Sequence, residues 1–240
     1  MVGAVPRALL FDVFGTVVDW RSSLVRHLSA FGLERGIEAD WVGLVDAWRG
    51  AYRPSMDRVR RGELAWTVLD DLHRSSLAAL CEARGLGLDV GLDGAALDRL
   101  ALLWRDLEPW PDSRPGLARL RARFTVAPLS NGNVALLVAM AKRAGLGWDM
   151  VFGADLFGHY KPDAETYLGA CRLLRLEPGE VMLCAAHNSD LAAARALGLR
   201  TAFVARPTEY GPAQSGDLGP EQEWDVVAGS LEALADRLGA

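Results

Sequence analysis

The stretch Ala8-Leu9-Leu10-Phe11-Asp12-Val13-Phe14-Gly15-Thr16-Val17-Val18-Asp19-Trp20 decides how the rest of the chain is read. Ala8 to Phe11 is a short apolar run, which predicts a buried strand. It ends on a carboxylate, Asp12, and Gly15 then breaks the pattern, so a turn follows at once. A carboxylate at the end of a buried strand is costly unless it is paired or used. In open α/β sheets that edge is also where ligands bind. Taken alone, Asp12 reads equally well as a cap for the turn. Its partners further along the chain have to decide.

The chain has 240 residues, enough for one large domain or two modest ones, and half of them are hydrophobic. With 26 basic and 31 acidic side chains the net charge is −5, which argues against a nucleic-acid footprint. The local run Arg58, Arg60, Arg61 reads as a solvated helix face. Cys81, Cys171 and Cys184 are odd in number and spaced for neither a zinc site nor a disulfide framework. Buried free thiols in a reducing compartment are the simplest reading. Arg7 precedes an apolar run that meets Asp12 too soon for a signal peptide. No apolar stretch reaches the ~20 residues needed to cross a bilayer. The expectation is a soluble, cytoplasmic protein with no membrane partner.

Downstream of Trp20 the texture is helical. Leu24, His27, Leu28 and Phe31 recur at helical spacing, with Gly32 or Gly36 ending that helix. Further helices are expected over Trp41 to Arg60, kinked or split by Pro54, over Glu63 to Arg84, and over Gly94 to Leu107. Six of the eight tryptophans lie between positions 20 and 110, as core or as the wall of an apolar pocket. Asp19 reads as a structural group where this segment begins. Glu108-Pro109-Trp110-Pro111-Asp112 is a proline-punctuated junction.

Beyond it strands and helices alternate, which signals a parallel sheet. Strands are expected over Phe124 to Leu129 (Pro128 being awkward there), Met150 to Phe152, Val181 to Ala185, Thr201 to Val204 and Asp225 to Val227. Helices are expected over residues 113 to 122, Val134 to Ala144, from an Asp163 cap to Leu174, from about Asp190 to Gly198, and over Leu231 to Leu238. Pro207 to Pro220 is rich in Gly, Pro and Ser without periodicity and reads as a long surface loop. The expected architecture is one α/β core, residues 1–18 and 111–240, with a helical cap, residues 19–110, inserted after the first strand.

Four strand ends then present polar groups: Asp12 with Thr16, Ser130 with Asn131, Lys161 before a helix, and Asp190. In a parallel sheet they fall on one edge and converge. Each alone is weak, since a lone lysine is usually on the surface and a lone Ser-Asn is usually turn chemistry. Together and in this order, they resemble the four motifs of the haloacid dehalogenase superfamily. Asp12-Val-Phe-Gly-Thr16 is similar to its first motif, Ser130-Asn131 to its second, Lys161-Pro162-Asp163 to its third, and Asp190 to part of its fourth. The resemblance implies a Rossmann-like parallel sheet with an inserted four-helix-bundle cap.

It also points to a branch. Phosphatases of that superfamily carry a general acid two residues after the nucleophile, and part of a magnesium site four residues before the last aspartate. Here those positions are Phe14 and Ala186. Phosphoryl transfer leans on its metal, whereas a halide leaves as a stable anion and needs no acid. The pattern resembles the L-2-haloacid dehalogenases (type II), with an aromatic residue at position 14, a cap Trp-Arg pair at Trp48-Arg49, and Tyr167 after Lys161. That resemblance implies a small halogenated carboxylate as substrate, an ester formed on Asp12, and neither metal nor cofactor. It implies halide release toward Arg49 and Asn131, a substrate carboxylate held by Thr16, Ser130 and backbone amides, and Lys161 as counter-charge. Asp190, with His187, is implied in hydrolysis of the ester. The type II pattern differs at Ala185, His187 and Ser189. His187 reads equally as a base near neutral pH or as a hydrogen-bonding wall residue. His27, His73 and His159 read as surface or packing residues. A phosphatase with a remade metal site, an inactive binding protein and a homodimer are the alternatives and the partner left open.

Overall fold

The computed structural model describes residues 5–87 and 92–240. In chain order its strands are β1 (Ala8–Phe11), β2 (Val18–Asp19), β3 (Glu108–Pro109), β4 (Thr125–Ser130), β5 (Phe152–Gly153), β6 (Val181–Ala185), β7 (Arg200–Val204) and β8 (Val226–Ala228). Six of them form a parallel sheet in the order β5-β4-β1-β6-β7-β8. The helices are α1 (Trp20–Arg35), α2 (Trp41–Arg60), α3 (Leu69–Ala83), α4 (Gly94–Ala101), α5 (Ser113–Arg121), α6 (Val134–Ala144), α7 (Ala164–Leu174), α8 (Asn188–Ala196) and α9 (Leu231–Leu238).

The apolar run at β1 is explained by burial on both faces. Leu9 and Phe11 share one cluster with Leu117 and Leu120 of α5, Leu136 and Met140 of α6, and Leu231 and Leu234 of α9. Ala8 and Leu10 share the opposite cluster with Tyr167 and Ala170 of α7 and Leu191 of α8. Successive side chains of a strand point to opposite faces, so a strand with helices on both sides must be apolar throughout. β1 sits between β4 and β6, and the chain order reverses around it. That switch point opens a crevice at the carboxyl ends of the strands.

Pro128 lies inside β4 without breaking a ladder. Thr125 N–H donates to Arg7 O beside β1, and Val126 N–H donates to the Asp149 side chain on the other side. Alternation puts the Pro128 nitrogen on that second side too, and β5 pairs only with Leu129 and Ser130.

Helices α1 to α4 lie between β2 and β3, which pair antiparallel with Asp19 opposite Glu108. Asp19 caps α1 by accepting from Ser22 N–H at 3.0 Å. Four features differ from expectation. The segment from Glu63 to Val68 is not helical, because Gly62 adopts φ +74° and the Glu63 and Leu64 amides fold back onto Arg58 O. The fourth helix tightens into a 3-10 turn over Leu102–Arg105. α2 runs to Arg60 as one element despite Pro54, with Ser55 Oγ donating to Ala51 O. The strand expected at Met150 to Phe152 forms at Phe152–Gly153. All three cysteines are free and buried. Among the described residues, no helix is long and apolar enough to cross a membrane.

α5 and α9 cross in close contact at Gly116, where an added Cβ would lie 2.6 Å from the Leu231 backbone carbon. Overpacking of this kind typically costs about 1–3 kcal/mol. Gly116→Ala is therefore expected to lower the urea midpoint by that equivalent. Gly179→Ala, where no atom lies within 4 Å of the new Cβ, should stay within about 0.5 kcal/mol of wild type.

Candidate functional site

The ends of β1, β4 and β6 deliver their polar residues to one place. Asp12 follows β1, with its backbone N–H bonded to Cys184 O at 3.0 Å. The turn after it is held by side chains that satisfy its carbonyls: Trp110 Nε1 donates to Gly15 O, Arg206 Nε to Thr16 O, and Ser113 Oγ to Val17 O. Arg206 is itself fixed by Asp112 at 2.8 and 2.9 Å. This bracing aims the Asp12 carboxylate, which is buried together with Thr16.

Lys161 Nζ donates to Asp12 Oδ1 at 2.9 Å and to Asp190 Oδ2 at 2.5 Å. Lys161 is placed by its own backbone N–H, which donates to Asn131 Oδ1 at 2.7 Å. Tyr167 Oη donates to the other Asp190 oxygen at 2.5 Å. Thr16 Oγ1 donates to Asp12 Oδ2 at 2.8 Å and accepts from Ala186 N–H. His187 Nδ1 lies 3.0 Å from the same Asp12 oxygen. Burial opposes charge on Asp12, but Lys161 and His187 overcome it and hold the carboxyl well below the usual range. Burial likewise opposes charge on Lys161, and Asp12 and Asp190 push its pKa up. Burial and the Asp190 charge push Tyr167 up, so it remains a donor.

Asp12, Phe14, Arg49, Asn131, Lys161, His187, Ser189 and Asp190 all border one cavity of about 630 Å³. Its apolar wall is Phe14, Trp20, Tyr52, Met56 and Tyr210. Arg49 reaches in from α2, its guanidinium carbon 4.3 Å from the Tyr52 ring centroid and 5.2 Å from that of Trp20. Its Nη1 is buried and has no hydrogen-bond partner among the described residues. Trp48, beside it in sequence, points away into the aromatic core and donates to His73 O. His73 is a buried packing residue, its ring stacked 4.1 Å from Trp104.

Two of the expected substrate-binding residues do not border the cavity. Thr16 is spent on Asp12 and Ala186, and Ser130 Oγ accepts from Gly132 N–H behind the wall. Arg60 is not simply a solvated face: it borders the cavity and grips Asp163 at 2.7 and 3.0 Å. Asp163 stands at the N-cap of α7, but its side chain serves Arg60 instead of the cap.

The loop read as surface supplies what was missed. Glu209 is 1% exposed, and its carboxylate lies 3.0 Å from His187 Nε2 and accepts from Trp20 Nε1 at 2.9 Å. Tyr210 and Asp217 of the same loop border the cavity. One acid between two prolines carries no periodicity to announce it. Burial lowers the tendency of His187 to hold a proton, and Glu209 and Asp12 more than reverse this, raising its pKa well above the usual value.

Comparisons with known proteins place the chain in a family. Residues 6–198 match the family described as haloacid dehalogenase-like hydrolase. The chain is 31% identical to (S)-2-haloacid dehalogenase 4A of Burkholderia cepacia, over 85% of this chain and 86% of that one. It is 33% identical to a plasmid-borne phosphoglycolate phosphatase of Cupriavidus necator, over 95% and 90% respectively. The crystal structure of an L-2-haloacid dehalogenase superposes with a TM-score of 0.94 at 57% identity, covering 98% of this chain and 99% of that one.

Replacing Lys161 by Met would leave two buried carboxylates facing each other. Breaking a buried pair in this way costs roughly 3–5 kcal/mol. Asp12 has a depressed pKa in the folded state, so its contribution is present above the unfolded value and lost as pH falls through the folded one. The stability gap between wild type and Lys161→Met is expected to be widest near neutral pH and to narrow below about pH 4, as read by urea unfolding at several pH values.

Proposed function

The chain belongs to the haloacid dehalogenase-like hydrolase family, and from that premise we propose that it hydrolyses small (S)-2-haloalkanoic acids to 2-hydroxy acids through an ester on Asp12. What carries the reading is the pairing across the cavity of a fixed carboxylate with a buried guanidinium whose Nη1 has no partner among the described residues. In the first step an Asp12 oxygen attacks C2 in line, the carbon–halogen bond breaks, and the halide departs with the electron pair. Lys161 keeps Asp12 ionised and oriented for this. Thr16 and Ser130 are occupied elsewhere, so the substrate carboxylate and the departing halide fall to Arg49 Nη1 and the Asn131 amide.

In the second step water attacks Cγ of the ester. Lys161, fixed by Asp190 and Tyr167, stabilises the oxyanion, and His187 is the base within reach. Attack at Cγ leaves the C2–oxygen bond intact, so the only inversion at C2 is the first one and the product is the (R)-hydroxy acid.

The curated relatives include both a dehalogenase and a phosphatase, and the residues at hand favour the first. Phe14 is buried and has no proton to give an alkoxide leaving group, and Ala186 offers no carboxylate for a magnesium ion. We take residues 19–110 as the cap that brings Arg49 over the core.

Incubation with (S)-2-chloropropanoate is expected to release chloride at a rate unchanged by EDTA. A single turnover in heavy-oxygen water should place the label in Asp12, read by peptide mass spectrometry. Asp12→Asn should lower chloride release at least about 1,000-fold, and Arg49→Ala about 100- to 1,000-fold. Absence of label in Asp12, or phosphate-ester hydrolysis that needs magnesium and exceeds chloride release, would refute the reading.

A further inference from the structure

Glu209 is a buried acid behind the cavity wall and takes no direct part in the chemistry above. It sits on the loop after β7, 1% exposed, and meets three groups: His187 Nε2 at 3.0 and 3.2 Å, Trp20 Nε1 at 2.9 Å, and Arg49 at 3.8 Å. The turn after Asp12 makes room for it. Gly15 has φ +89°, and an added Cβ there would lie 2.2 Å from the Glu209 carboxylate. A positive φ and so close an approach leave little choice but glycine.

We propose that Glu209 is the positioning residue that makes His187 the base for ester hydrolysis, and that esterification of Asp12 is what switches the base on. This rests on the ester mechanism above. In the resting site the imidazole lies between two carboxylates, Asp12 at Nδ1 and Glu209 at Nε2. Each carboxylate can only accept, so both ring nitrogens must carry protons, and an imidazolium cannot take a proton from water. Once Asp12 is an ester, one of the two anions is gone. Glu209 still holds the Nε2 proton, the Nδ1 proton passes to solvent, and the Nδ1 lone pair faces the ester. The ring thus becomes a base only when there is an ester to hydrolyse.

The protons balance. Water gives one proton to Nδ1 as its oxygen bonds to Cγ. Collapse of the tetrahedral intermediate breaks the bond from Cγ to the substrate oxygen and sends the second proton to the departing alkoxide. Asp12 returns as a carboxylate and His187 as an imidazolium. The one proton released per turnover is the one lost from Nδ1 after the first step.

The other charged and titratable groups that border the cavity include Lys161, Asp190, Arg49, Tyr52 and Tyr210, with Asp46, Arg53, Asp57, Arg60 and Asp217 among the rest of its lining. Lys161 is clamped by Asp190, Arg49 keeps its charge throughout, and burial pushes Tyr52 up so that it stays neutral. Asp12 is the group whose charge changes within the cycle.

The decisive variant is Glu209→Gln, which keeps the size and can still accept from Trp20. Rapid-quench halide release should show ester formation within about threefold of wild type. Hydrolysis should slow by at least about tenfold, so that the acylated protein accumulates by intact mass. The pH midpoint of the hydrolysis step should also fall. A second measurement does not depend on that variant folding. Asp12→Asn replaces the anion by a neutral group, as the ester does, and NMR titration should place His187 at least about one pH unit lower than in wild type. Equal slowing of both steps in Glu209→Gln, equal ester lifetimes, or an unchanged His187 midpoint in Asp12→Asn would overturn the inference. If wild type forms no ester at all, the mechanism beneath it fails as well. Ester formation with no effect at position 209 sinks this inference alone.

Discussion

The Lys161 ammonium lies between Asp12 and Asp190, at 2.9 and 2.5 Å, with all three side chains at least nine-tenths buried. Two carboxylates brought this close in a dry corner would not both stay ionised without a cation between them. The sheet brings them together: Asp12 leaves the end of β1, Asp190 belongs to the first turn of α8 just beyond β6, and these strands are neighbours. Lys161 arrives from a separate loop and is registered by Asn131 at the end of β4. Three crossovers thus converge on one nitrogen atom. Buried ion groups are poor sources of stability, so their use here is better understood as fixing one geometry and one ionisation state.

Around that atom the site forms a row of alternating charge. It runs Asp190, Lys161, Asp12, His187, Glu209, Arg49, with contacts of 2.5 to 3.8 Å between successive members. The row is neutral as a whole, which keeps the burial of six ionic groups tolerable. In the reaction proposed above, attack by Asp12 would move one negative charge from the middle of the row onto the halide, toward the guanidinium at its end. The aromatic walls lower the local polarity and so strengthen each of these interactions. The chemistry so served needs neither a proton donor at position 14 nor a carboxylate at position 186.

The sheet and most of the site could be read from the chain because they are local. Ala8 to Phe11 had to be a doubly covered strand, and the polar residues closing β1, β4 and β6 had to share an edge. What could not be read depended on contacts between distant segments. Thr16 and Ser130 lie at strand ends like the others, but the turns rotate their hydroxyls onto Asp12 and Gly132 instead of into the cavity. Arg60 looked like surface until α2 was set against Asp163. Glu209 lies in an aperiodic, proline-rich stretch, and its burial follows only from how that loop folds over Gly15 and Trp20. The segment after Gly62 kept helical composition, yet a left-handed glycine turned the chain back on itself.

The short ladder between β2 and β3 holds the two ends of the inserted helices side by side, Val18 opposite Pro109. A segment whose entrance and exit are neighbours can be exchanged for another without moving the strands beneath it. Asp12 and its ammonium partner stay with the sheet, while Arg49 and much of the aromatic lining travel with the insert. An exchange of the roof would therefore change what the cavity accepts while leaving the carboxylate and ammonium of the floor in place.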